Sequence, residues 1–146
     1  MSRVVDVATE GVRIPVSRTR VAALADAVLR AERVRYAILS IAFVTDRRIA
    51  ALNRKHLGHG GSTDVISFGF APVDARGDVV GDVYIAPGVA RRNAQAHGDS
   101  VRQELLRLVV HGVLHVLGHD HPDDDARYAS PMWKRQEQLL RSLGSA

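Results

Sequence analysis

Four of the seven histidines in this chain lie in one short stretch, HGVLHVLGHDH, residues 111–121. On an α-helix, His111 and His115 would point within roughly 40° of each other on successive turns. Gly118 can end such a helix and turn the chain back, which would bring His121 towards the pair. Three neutral imidazoles leave one position open on a tetrahedral ion, as in catalytic zinc sites. The spacing therefore predicts one metal ion per chain, held by these three histidines.

The residue after the first histidine limits the reactions that a bound metal could catalyse. The spacing H-x-x-x-H-x-x-G-x-x-H matches the zincin proteases, in which a glutamate directly after the first histidine acts as the general base. This chain has Gly112 at that position, so peptide hydrolysis by that mechanism would lack its base. A metal ion could still activate a water molecule or polarise a phosphate oxygen. Imidazole ligands suit several divalent ions, so zinc does not follow from the spacing alone.

Three polar residues near the ligands have more than one possible role. His119 competes with His121 for the third ligand place, although the spacing favours His121, and it could contact substrate or face solvent. Asp120 could hold a ligand histidine by hydrogen bonding or cap the turn. Glu104 lies seven residues before His111. It could orient a ligand or bind substrate, or it could stabilise the first turn of the helix.

The composition limits the class of protein. A length of 146 residues with 46% hydrophobic residues predicts one domain, residues 1–146, with one core. There are no cysteines, so a transition metal would have to use histidine and carboxylate ligands. The net charge of +4 favours phosphate-bearing partners. Neither a signal peptide nor an apolar run of about 18 residues is present. We therefore expect a cytoplasmic protein with no membrane contact, monomeric by default.

The elements that would position the histidines follow from periodicity and capping residues. Strands are expected at 4–8, 39–44, 64–70 and 79–86, with a turn at 71–77. Helices are expected at 18–34, 47–57, 87–96, 101–117 and 132–143. Expected helix caps are Ser17, Asp46, Ser100 and Ser130 at the N-termini and Gly118 after the fourth helix. This order predicts an α+β fold in which helices pack on one small mixed sheet of about four strands, two of them a hairpin. The fourth helix would be a zincin-like metal-site helix.

Several stretches together resemble the YbeY family of endoribonucleases. HGVLHVLGHDH is similar to the family signature H-G-x-L-H-L-x-G-Y-D-H, and LNRKHLGHGGSTDVISF (52–68) is similar to its upstream block. GDVYI (81–85) resembles the family's G-D-I strand. Glu104 matches the E-L-x-x-L-x-x-H-G pattern before the signature, and Met132 and Glu137 match the M-x-x-x-x-E pattern near the end.

The resemblance implies a fold, an activity and a cofactor. It implies a single α+β domain with zinc bound by His111, His115 and His121. It implies a zinc-dependent endoribonuclease specific for single-stranded RNA, acting in ribosome biogenesis on the 3′ end of 16S ribosomal RNA. The implied partners are ribosomal RNA and the ribosome or its small subunit.

The chain departs from the family pattern at two positions. His119 replaces the tyrosine of G-Y-D-H. Leu57 replaces an arginine that in the family is thought to serve RNA or the reaction. Arg54, Lys55, His56 or His59 could supply the missing charge, or each could be an ordinary solvated residue.

The residues expected to contact RNA come mainly from the upstream block. They are Arg54, Lys55, His59, Thr63, Asp64, Ser67 and His119. Within that block, Val65, Ile66 and Phe68 are expected to build the core, while the polar residues between them could line the cleft near the metal.

Two other functions stay open on the sequence. The chain could be a non-catalytic ribosome-associated factor whose metal only fastens the last loop to the helix, which Leu57 favours. It could also be a zincin-like hydrolase of another substrate, which Gly112 disfavours.

Overall fold

The computed structural model of the chain describes residues 2–57, 63–70, 78–122 and 125–144. Its strands are β1 (Ser2–Thr9), β2 (Tyr36–Phe43), β3 (Val65–Phe70) and β4 (Val79–Ile85). Its α-helices are α1 (Arg18–Ala31), α2 (Asp46–Leu57), α3 (Pro87–His97), α4 (Val101–Val116) and α5 (Pro131–Leu143). A 3-10 helix, Asp125–Ala129, precedes α5. The predicted order of elements and the α+β class are confirmed, while the predicted turn at 71–77 lies outside the described residues.

The four strands form one mixed sheet in the order β1-β2-β4-β3. β1 and β4 both run parallel to β2, and β3 runs antiparallel to β4 as the predicted hairpin. In the hairpin register Gly69 lies opposite Gly81 and Ser67 lies opposite Val83. β2 and β4 are therefore the two interior strands, and β3 forms the edge of the sheet at which the hairpin contacts α4.

The main core lies between one face of the sheet and helices α1, α4 and α5. The residues of α1 predicted to face it are all fully buried: Val21, Leu24, Ala25, Val28 and Leu29. α4 is buried along most of its length and contacts α1, α3, α5 and the hairpin. A smaller core, with Ile49 and Leu52 of α2, covers Ala42 on the opposite face of β2, because neighbouring strand residues point to opposite faces.

Glycines allow α4 to lie unusually close to the hairpin. A Cβ atom at Gly112 of α4 would lie 2.5 Å from Cγ1 of Val83 on β4, much closer than carbon atoms can approach. Further along α4, a Cβ at Gly69 would lie 3.0 Å from the carbonyl oxygen of Val116, and one at Gly81 would overlap the Val116 side chain. The helix can therefore approach the hairpin only because both carry glycine at these contacts.

The helix ends confirm most of the predicted caps and correct others. The hydroxyls of Ser17, Ser100 and Ser130 accept backbone hydrogen bonds in the first turns of their helices, and Gly118 follows α4 with φ of 99°. These predictions are confirmed.

Two predicted helix boundaries were wrong. α2 begins one residue early, because the hydroxyl of Thr45 accepts a bond from the backbone N–H of Arg48 at 3.1 Å. Asp46, the predicted cap, therefore lies inside the helix and pairs with Arg92 at 2.9 Å. α1 ends at Ala31 rather than at residue 34, since Arg33 adopts a left-handed conformation with φ of 62°. No helix in the described ranges is long and apolar enough to span a membrane.

We expect Gly112→Ala to destabilise the fold even though alanine is the better helix former. The gain in helix propensity is about 1 kcal/mol, whereas overpacking a core typically costs about 1–3 kcal/mol. Urea unfolding should therefore give a lower free energy of unfolding for the variant, by roughly 1 kcal/mol.

A double-mutant cycle with Val83→Ala tests the cause of that loss. Removing the Val83 methyl groups makes room for the new Cβ, so the double variant should lose less stability than the sum of the two single variants. Simple additivity of the two losses would contradict the proposed clash.

Candidate metal centre

Three histidines come together where α4 ends. His111 and His115 lie on successive turns of α4, and the chain turns at Gly118 and returns with His121. One nitrogen from each ring lies within 4.8 Å of the other two. No other group of three or more histidine or carboxylate side chains meets this spacing within the described ranges. The structure thus brings together the three residues that the sequence singled out.

Hydrogen bonds orient two of these rings. Nδ1 of His111 lies 2.6 Å from Oε1 of Gln136, and Nδ1 of His121 lies 2.7 Å from the carbonyl oxygen of Pro122. Both oxygens can only accept, so each Nδ1 carries the proton and each Nε2 keeps its lone pair. Donating the remote N–H to a protein oxygen is the usual arrangement of a metal-binding histidine. These two rings therefore fit a divalent ion that prefers nitrogen ligands.

The electrostatics of the site favour neutral imidazoles. Burial lowers the pKa of His111 to about 4, against an opposing effect of the Gln136 hydrogen bond. Burial, followed by the charge of His121, also lowers the pKa of His115, and a hydrogen bond with the His119 backbone opposes that shift. A metal can bind only the neutral ring, so both histidines are in the ligand form at neutral pH.

A chain of polar side chains extends from His111 through α5 to the N-terminal half of α4. The Gln136 amide donates to Oε2 of Glu137 at 3.0 Å, which leaves its oxygen facing His111. Nε of Arg107 donates to the same Glu137 oxygen at 3.0 Å. Gln136 is 1% exposed, so its position and amide orientation are held by the protein interior.

Arg107 also binds two further carboxylates. Its Nη1 lies 2.8 Å from Asp99 and 3.0 Å from Glu104, and this hydrogen bond from Arg107 holds the pKa of Asp99 below its usual range. Sequence reasoning missed Asp99, Arg107 and Gln136. Gln136 carried no signal, since a glutamine on an amphipathic helix is ordinary, whereas Glu137 belonged to a noted motif.

The residues with several possible roles make contacts of their own. Glu104 is buried and binds Arg107, and Asp120 is exposed and accepts the backbone N–H of His121 at 2.8 Å. Nε2 of His119 lies 3.1 Å from Glu32, a carboxylate that also pairs with Arg135. The functional roles expected of these residues stay predictions.

The polar residues of the upstream block (52–68) differ in their burial and contacts. Asp64 is partly covered at the N-terminal end of β3; burial raises its pKa, and the Asn93 amide lies 3.4 Å from its carboxylate. The buried hydroxyl of Ser67 has no hydrogen-bond partner within the described part of the chain and faces α4 near Gly112. Thr63 is half-buried.

The basic residues of α2 lie at its C-terminal end. Arg54, Lys55 and His56 are exposed in its last turns, and the ring of His56 packs edge-on against Phe68 with centroids 5.2 Å apart. His59 and the side chain of Leu57 lie outside what the structure describes. The expected RNA contacts of α2 therefore stay predictions.

A cavity of about 680 Å³ opens beside His111. Gln136 and His111 line it on the side of the three histidines. Asp64, directly before β3, and Asn93 of α3 also line it, and Arg127 and Tyr128 of the 3-10 helix form a further wall. A cavity of this size can hold a nucleotide-sized group.

Comparison with known proteins assigns this arrangement to a family. The sequence pattern of the family described as "Endoribonuclease YbeY" matches residues 6–144. A protein named "Endoribonuclease YbeY" from Frankia casuarinae is 39% identical over 154 residues, covering 96% of this chain and 74% of its own. One of the same name from Halalkalibacterium halodurans is 38% identical, covering 73% of this chain and 72% of its own.

A solved structure shares the fold. The solution structure of TM1509 from Thermotoga maritima superimposes with a TM-score of 0.60 at 23% identity, covering 95% of this chain and 88% of that one. The matched sequence pattern extends over nearly the whole chain, including the helix and turn that carry the three histidines. This chain therefore belongs to the YbeY family of endoribonucleases.

Proposed function

We propose that this protein is a metal-dependent endoribonuclease that cleaves single-stranded RNA, with one Zn²⁺ per chain bound by His111, His115 and His121. The observation that carries the proposal is the convergence of three imidazole nitrogens within 4.8 Å. Its relatives are named as endoribonucleases, and this chain is an enzyme of that class. An open three-histidine site is the kind that leaves a zinc ion available for catalysis.

The chain's own residues prepare this site for hydrolysis. A bound divalent ion would polarise a phosphate oxygen and lower the pKa of a water molecule. Gln136 and the Pro122 carbonyl hold the Nδ1 protons of two ligands and so present the Nε2 lone pairs. The cavity beside His111 offers room for the RNA next to the reacting phosphate.

Peptide hydrolysis is less well supported. The zincin mechanism needs a glutamate at position 112, and a side chain there would meet Val83 of β4 before it could serve the metal. The general base of the zincins therefore has no equivalent at this position, which leaves RNA as the substrate best supported.

The biological setting proposed is the maturation of ribosomal RNA, at the 3′ end of 16S RNA, in the cytoplasm. The family resemblance and the net charge of +4 support contact with RNA on the ribosome or its small subunit. We propose that residues 1–146 act as one domain and as a monomer.

We expect His115→Ala to remove both the bound metal and the activity. Elemental analysis of the purified protein should find one zinc per chain in the wild type and none in the variant. Metal-loaded wild type should cleave an unstructured oligoribonucleotide, and His115→Ala should lose that cleavage because one of three ligands is missing.

His119→Ala is the matched control for metal content. It removes a histidine two residues from a ligand, but one that lies against Glu32, so one zinc per chain should remain. Equal cleavage by wild type and His115→Ala would refute a metal-dependent nuclease. Metal that stabilises the wild type without any RNA cleavage would favour the non-catalytic ribosome-associated factor.

We expect Gln136→Leu to weaken metal binding without removing a ligand. Loss of the oxygen that accepts the His111 N–H should lower metal affinity by about 10- to 100-fold, the usual effect of removing such a partner. Competition with a chromophoric chelator measures this affinity.

Two further substitutions identify the cause of that loss. Gln136→Glu keeps an accepting oxygen and should retain tighter binding than Gln136→Leu. Gln138→Leu makes the same change at an exposed position of α5 and should leave the affinity unchanged. Equal affinities for Gln136→Leu and Gln138→Leu would show that Gln136 does not orient the ligand.

A further inference from the structure

Arg127 lines the cavity beside His111 and has an unused hydrogen-bond donor there. It belongs to the 3-10 helix that leads from the metal-binding turn to α5. Its Nε–H is buried and has no hydrogen-bond partner among the residues that the structure describes. Leaving a buried charged donor unpaired is costly, so such a group often marks a place where a ligand completes the bonding.

No carboxylate of the described residues neutralises the charge of Arg127. Among the described residues, no carboxylate lies within ion-pair distance of its guanidinium, whereas the cavity's other arginine, Arg107, binds three carboxylates. Arg127 lines the same cavity as His111 and Asp64, and its charge opposes the burial-driven rise in the pKa of Asp64. The cavity thus contains one positive charge that is available to an anion near the metal ligands.

An aromatic surface adjoins this charge. Tyr128 is 50% exposed, and its ring packs edge-to-face against Trp133 with centroids 4.8 Å apart and planes at 81°. The guanidinium carbon of Arg127 lies 5.5 Å from the centroid of the Tyr128 ring, within cation–π range. Both aromatic side chains line the same cavity as His111. Exposed aromatic rings beside cationic groups are the usual surface on which unpaired bases of single-stranded RNA stack.

We propose that this cavity binds the nucleotide next to the scissile phosphate, with Arg127 contacting the phosphate and Tyr128 stacking the base. Trp133 supports the Tyr128 ring from α5. The inference rests on the endoribonuclease function proposed above and assigns residues that bind its substrate. Arginine suits this role because its planar fork matches the geometry of phosphate oxygens.

Binding in the cavity can be followed by the fluorescence of Trp133, because it is the only tryptophan in the chain and lines the cavity. An unstructured oligoribonucleotide titrated into the metal-free full chain should quench Trp133 fluorescence as a base enters the cavity. Fluorescence anisotropy of a labelled copy of the same oligonucleotide measures the affinity independently of cleavage.

Arg127→Gln should weaken binding and reduce its salt dependence. Loss of one phosphate contact lowers the slope of log affinity against log salt by about one. Arg91→Gln removes a charge from an exposed position of α3 and is the matched control, with an expected affinity close to wild type. Arg127→Lys should restore part of the affinity, since it keeps the charge but not the fork.

Tyr128→Ala should weaken binding by at least about fivefold, the lower end of the stacking range for one base. Tyr128→Phe keeps the ring and should bind like wild type, and urea unfolding checks that each variant is folded. An oligonucleotide with one abasic position should quench Trp133 less than the intact one.

The outcomes separate this inference from the proposed function. If wild type neither binds nor cleaves RNA, the nuclease proposal fails and this inference fails with it. If wild type binds and cleaves RNA while folded Arg127→Gln and Tyr128→Ala match it in affinity and salt slope, the nuclease proposal stands and the cavity assignment is wrong.

Discussion

The close approach of α4 to the β3–β4 hairpin is the constraint on which the metal centre depends. Gly112 lies against Val83, and Val116 packs over the facing pair Gly69 and Gly81. A helix held this tightly cannot rotate or slide without steric overlap, since packed interiors have little free space. The orientation of the α4 face that carries His111 and His115 is therefore fixed. Only His121 has to be positioned by the turn that follows the helix.

Two arginines, Arg107 and Arg127, line the same cavity but differ in their neighbouring residues. Arg107 binds Asp99, Glu104 and Glu137 and so joins α5 to the N-terminal half of α4. That junction places Gln136 within 2.6 Å of His111. Arg127, a few ångströms from an aromatic ring and without a described carboxylate partner, keeps its charge available to a ligand. One arginine thus stabilises the surroundings of the three histidines, and the other has the properties needed for the proposed contact with substrate.

The parts of the site that could be predicted from sequence are those determined by local geometry. Helical periodicity places His111 above His115, and a glycine after the helix predicts the turn to His121. Gln136 could not be predicted, because it is 25 residues from His111 and its contact depends on how α5 packs against α4. The sequence suggests that a basic residue near position 57 could replace the missing arginine. The arginine without a described carboxylate partner is instead Arg127, which belongs to the 3-10 helix after His121.

Gly112 illustrates how one residue can be interpreted differently from sequence and from structure. By comparison with the zincins, it indicates a missing general base. In the structure it is the point where α4, the helix that carries His111 and His115, contacts β4. The ligand spacing H-x-x-x-H-x-x-G-x-x-H follows from helix geometry and one turn, so folds that share it need not share a neighbouring base. The size of the residue at position 112 is limited instead by the element that packs against that side of the helix. Here that neighbour is a strand, and any base for the reaction has to come from elsewhere.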